Sequence, residues 1–138
     1  MRLDPRIFLL FGLISILGLS AKNAHATHAM GGDIYYECIN AATNSYRVTF
    51  DFYRDCAGIS APSSVSIQYT SSCGSGSVTA SRIGPGTEVS PLCPAQINQS
   101  RCRGGSLPGV ERYTYQAVIN NLAPCANWVF GTGINARN

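Results

Sequence analysis

A chain of 138 residues with ten basic and seven acidic side chains carries a formal charge of only +3. Its single lysine, Lys22, and two of its arginines, Arg2 and Arg6, fall in the first 26 residues, which leaves seven arginines scattered from Arg47 to Arg137 against six carboxylates. A nucleic-acid binder shows a clustered basic surface, so that class is set aside.

In chain order, Arg2 and Arg6 precede the apolar run Ile7 to Ser20, and the small-residue triplet Ala24-His25-Ala26 follows it. A charged start, an apolar centre and an Ala-x-Ala site define a secretory signal peptide over residues 1–26. The run is shorter than the roughly 20 residues a spanning helix needs, and no cysteine follows the cleavage site to take a lipid anchor. The expected mature chain, residues 27–138, is long enough for one domain that buries somewhat over about 60% of its unfolded surface. It is expected to be exported to the cell surface or the extracellular space, with no transmembrane segment.

Short strand patterns then follow one another, separated by turn chemistry. DIYYECI (33–39) sets Ile34, Tyr36 and Cys38 on one side. YRVTFDFYR (46–54) alternates Tyr46, Val48, Phe50 and Phe52 with Arg47, Thr49, Asp51 and Tyr53, the mark of a half-buried antiparallel strand. SVSIQYT (64–70) repeats the pattern with Val65, Ile67 and Tyr69, and SVTASRI (77–83) follows more weakly. TEVSPL (87–92), broken by Pro91, is at most an edge strand. ERYTYQAVIN (111–120) turns Tyr113, Tyr115, Ala117 and Ile119 one way, and NWVFGTG (127–133) adds Trp128 and Phe130 to the core. NAATN, CGSGS, IGPGT and CRGGSLPG supply the turns through Gly, Pro, Asn and Ser. Seven such strands predict an all-β, immunoglobulin-like antiparallel β-sandwich.

All six cysteines, Cys38, Cys56, Cys73, Cys93, Cys102 and Cys125, lie after the signal. An even count in an exported chain points to disulfides. Structural zinc favours close cysteine pairs and redox catalysis a C-x-x-C site, whereas here the shortest separation is the nine residues from Cys93 to Cys102. Six cysteines allow 15 connectivities. The segment CPAQINQSRC suggests Cys93 with Cys102, a closure that chain entropy values at about 2.7 kcal/mol; Cys56 with Cys73 and Cys38 with Cys125 complete the simplest set.

Catalytic readings find little footing. A hydrolase triad commonly uses a histidine base, and only His28, beside the new terminus, remains after cleavage; there it is at most an adventitious copper ligand. CGSGS lacks the glycines of a nucleophile elbow. Asp51 and Asp55 lack the loop that calcium requires, and no paired carboxylates stand in a setting distinctive of glycoside hydrolysis. Arg101 and Arg103 around Cys102 read as a solvated loop, and the sequon Asn98-Gln99-Ser100 as a chance match. No cofactor or metal is expected. Tyr36, Tyr46, Tyr69, Tyr113 and Tyr115 follow the buried phase of their strands. Tyr35 and Tyr53 take the opposite phase and are the candidates for a surface that contacts a glycan or protein ligand.

The segments HAMGGDIYYECI, YRVTFDFYRDCAGI, SPLCP, GGSLPGVERYTYQAVI and CANWVFGTGINARN together resemble the N-terminal module of large exported Bacteroidota proteins of the gliding-motility-associated, type IX secretion kind. The resemblance spans residues 28–138 and implies a β-sandwich that opens a surface-displayed protein, with further strands after Asn138 and repeats and a sorting domain downstream. Related chains often carry cysteines near an Arg-Asn pair where this one reads Asn135-Ala136-Arg137-Asn138, which leaves the partner of Cys125 open. The expected function is a non-enzymatic exported module for adhesion or as a structural spacer. The alternative is a self-assembling fimbrial-type subunit that uses open sheet edges.

Overall fold

The computed structural model describes residues 29–134. The expected signal peptide, His28 and residues 135–138 lie outside them. Six strands form in chain order: β1 (Ala29–Asn40), β2 (Ser45–Asp55), β3 (Ser64–Ser71), β4 (Gly74–Glu88), β5 (Val110–Ile119) and β6 (Val129–Thr132). They make one sheet in the order β1-β2-β5-β4-β3-β6, and every pairing is antiparallel. Among the described residues the helical segments are two short 3-10 turns, Pro94–Gln99 and Arg101–Arg103, between β4 and β5.

The alternation read in the sequence sets the core. Val48, Phe50 and Phe52 of β2, Val65 and Ile67 of β3, Ala80 of β4 and Tyr115, Ala117 and Ile119 of β5 are buried together, with Tyr69, Val78, Trp128 and Phe130 packed around them. Tyr115 is fully enclosed, and its hydroxyl donates to the Pro62 carbonyl at 2.7 Å.

The sequence suggests seven strands where the described residues form six, because SVTASRI and the Thr87-Glu88 start of TEVSPL belong to one strand. The first half of β4 pairs with β3 through Ser81, and the second half, from Ser81 to Glu88, pairs with β5. Between Ile83 and Thr87 the register slips, and Gly84 takes a φ of +67° that few side chains tolerate. The IGPGT stretch is therefore a bulge inside a continuous strand, not a turn. A bulge bends its strand and lets a sheet turn a corner. The sheet accordingly curls until its ends approach: the ring of Tyr36 on β1 lies 4.8 Å from that of Phe130 on β6. These two strands close no ladder with each other among the described residues, and the curl stays open along that side.

The openness corrects the expectation for Tyr36. Its phase is the inward one, but β1 is an edge, and the side chain remains 53% exposed.

The cysteines also pair differently. Cys56 is bonded to Cys102 and Cys73 to Cys125, with Cα separations of 5.0 and 6.2 Å. Cys38 and Cys93 are free and exposed. Cys93 with Cys102 and Cys38 with Cys125 are displaced because Cys102 and Cys125 are taken by Cys56 and Cys73, and Cys56 with Cys73 is barred by the topology. Cys73 sits in the two-residue turn where β3 meets β4, whereas Cys56 leaves β2 near the far end of β4. The loop after β4 folds back through a bridge between Ser100 and Leu107, which brings Cys102 against Gly109 and hence to Cys56, whose N–H donates to the Gly109 carbonyl at 2.9 Å. The two free thiols have no route to each other. Cys38 lies opposite Tyr46, while Cys93 follows the segment in which Val89 bonds to Val110, the residue opposite Asp55. Tyr46 to Asp55 at about 3.3 Å per residue separates the ends by on the order of 30 Å.

Candidate functional site on the β1 face and edge

The strand that ends in Arg54-Asp55-Cys56 is fastened by all three residues. Arg54 pairs with Glu111 at 3.0 Å, with both side chains largely covered, and it donates to the carbonyls of Gly58 and Ile59. Asp55 accepts from the Ala57 N–H at 2.9 Å. Cys56 then joins this corner to the 3-10 segment. These are structural roles, and they absorb the groups that a calcium reading would have used: Asp51 meanwhile accepts from the Thr114 hydroxyl on β5. Among the described residues, no three or more His, Cys, Asp or Glu side chains gather as a metal site.

A second fastening centres on Glu88. Its carboxylate accepts from the buried Ser100 hydroxyl, from Ser90 at 2.8 Å and from the Arg103 guanidinium at 2.7 Å. The Ser100 hydroxyl, then Arg103 and Ser90, hold its pKa down at about 2. Arg103 also donates to Asn98 Oδ1 at 2.9 Å. Arg103 thus belongs to a network that secures the loop, and Asn98 and Ser100 of the Asn98-Gln99-Ser100 sequon are engaged in it.

Away from these corners, the outer face of β1 and β2 carries the residues singled out for recognition. Tyr35 is 54% exposed, opposite Thr49, and Tyr53 is half-buried, opposite Gly31. Between the two tyrosines, Asp33 stands directly opposite Asp51. Like charges in that position repel. Desolvation, then the charge and hydrogen bond of Asp33, raise the pKa of Tyr53. Three ion pairs form among the described residues, Arg47 with Glu37, Arg54 with Glu111 and Arg103 with Glu88. None of them compensates Asp33 or Asp51.

Phase alone had marked Tyr35 and Tyr53; the facing aspartates needed the β1–β2 register, which sequence does not supply. A separate shallow trough of about 490 Å³ runs over β3, β4 and β6, lined by Gln68, Tyr69, Thr70, Ser77, Val129 and Gly131. No helix among the described residues is long and apolar enough to cross a membrane. Comparison with family models, curated proteins and solved structures finds no match to the chain.

Proposed function

We propose that the chain is a non-enzymatic module of an exported surface protein that serves in adhesion. In this reading the curled sheet is an immunoglobulin-like sandwich, with β1, β2 and β5 as one layer and β3, β4 and β6 as the other. The observation that carries the proposal is the outer face of β1 and β2, where two tyrosines flank two facing carboxylates that belong to none of the three ion pairs, on a sheet fastened at its corners. Aromatic side chains combine apolar area with a polar handle, which suits contact with a glycan or a protein. Two disulfides agree with an oxidising destination. The motifs behind the family resemblance, GGDIYY and YRDC, fall on β1 and on the fastened end of β2, where they have structural work. Gly32 passes so close to the Phe50 ring that a Cβ there would collide with it.

The test is saturable binding of the oxidised chain to panels of glycans and host-surface polymers, repeated with Tyr35→Ala and Tyr53→Ala together. Binding that disappears while circular dichroism is unchanged supports adhesion through this face. Binding that survives moves the contact elsewhere, and none at all reduces the module to a spacer.

The self-assembling alternative draws on the free β1 edge. A monomer by sedimentation at high concentration would remove it.

A further inference from the structure

We propose that the free edge of β1 receives an extended segment of a partner polypeptide, one that presents basic side chains four residues apart with apolar ones between them. The inference rests on the reading of the chain as a binding module and names a class of partner for it.

β1 is twelve residues long and, among the described residues, is hydrogen-bonded on one side only. An unpaired edge is a template for another strand, and proteins blunt such edges with lysine, proline or inward-pointing charge. β1 has no lysine, proline or inward-pointing charge, and its register slips are confined to its ends, at Ala29–Gly31 and Cys38–Asn40. Its inward positions between them are Gly32, Ile34, Tyr36 and Cys38, and Met30, Tyr35, Tyr36 and Ile39 are large and exposed along it. A strand laid beside it would extend the sheet toward β6 and cover the exposed ring of Tyr36.

Charge selects the occupant. The outward positions of β1 read Gly31, Asp33, Tyr35, Glu37 and Ile39, two acids and no base. Glu37 is met from the β2 side by Arg47 at 2.6 Å, whereas Asp33 meets no cation there, only Asp51 and the Tyr53 side chain, with Arg112 one strand further in, on β5 opposite Tyr53. Opposite charges on neighbouring strands attract and like charges repel. A second copy that offered its own β1 would bring acids to acids. One that offered β6 would bring four uncharged residues to twelve. A segment with arginine or lysine at positions i and i+4 answers Asp33 and Glu37, a β-branched or aromatic residue at i+2 lies against Tyr35, and apolar residues at i+1 and i+3 join Ile34 and Tyr36. Backbone pairing would supply affinity and the alternate side chains selectivity, as in strand addition generally.

The experiment uses the full oxidised chain and a capped synthetic peptide, Ser-Arg-Val-Thr-Val-Arg-Ser. Its controls are the same peptide with glutamate for both arginines and one N-methylated on alternate amides. Amide exchange and chemical shifts of β1 are read by NMR. The proposal expects slowed exchange along residues 33–39 with the arginine peptide alone, and an affinity about two- to five-fold weaker for Asp33→Asn. It is overturned if the glutamate or N-methylated peptide protects β1 equally, if no peptide does, or if protection grows with protein concentration in the absence of peptide, which would identify a second copy. Because the readout is the β1 backbone, it is independent of the glycan panel: peptide binding without glycan binding keeps the edge and discards the tyrosine face, and peptide failure with glycan binding does the reverse.

Discussion

Glu88 shows how one carboxylate can organise a connection of twenty-one residues between two strands. Its pKa falls from an ordinary 4.5 to about 2 because Ser100, Arg103 and Ser90 all donate to the ionised form. A depressed folded-state value means that the contribution to stability is complete above about 4.5 and is lost as pH falls through about 2. We expect amides of residues 89–109 to lose exchange protection across that window before β2 and β5 do, and Glu88→Gln to show the same loss at neutral pH. Arg54 is the corresponding residue at the other corner. Arg54→Ala strands Glu111 and frees the carbonyls of residues 58 and 59, and it should cost about 2 kcal/mol in a denaturant titration. A loss below about 0.5 kcal/mol would reduce the pair to an ordinary surface contact.

At the scale of elements, β1 and β4 break local rules that β2 and β5 obey. β1 depends on Gly32 to pass over Phe50, so Gly32→Ala should overpack the core and cost about 1 to 3 kcal/mol, read as a lower melting temperature. Neutral behaviour would mean that β1 lies further from β2 than the fold requires. The period-two pattern of 46–54 and 111–119 announced both β2 and β5 with their buried faces, since each has neighbours on both sides and one face on the core. It failed for Tyr36 because phase reports which way a side chain points, and burial also needs a neighbouring strand. It failed at Gly84-Pro85-Gly86 because a turn and a bulge ask for the same residues. The Tyr35 and Tyr53 face was legible from phase, but the opposition of Asp33 and Asp51 was not, since it follows from a register that the turn at residues 41–44 sets.

On the scale of the whole molecule, the curl is fastened at its corners and, among the described residues, left open along β1. The bridges close long loops, with separations of 46 and 52 residues. Chain entropy values each alone at about 4 kcal/mol, above the short Cys93 to Cys102 closure that composition suggested. The loops overlap in sequence, so the two contributions are not additive. Reduction should lower the denaturation midpoint sharply, whereas alkylating Cys38 and Cys93 in the native state should leave it in place. The most direct test of this architecture is a disulfide map of the oxidised chain, alkylated before denaturation and digested without reductant. The account predicts bridged peptides for Cys56 with Cys102 and for Cys73 with Cys125, and full alkylation at Cys38 and Cys93. A bridge between Cys93 and Cys102, or any bridge that takes Cys38, would contradict the way the sheet is closed and the edge that it leaves free.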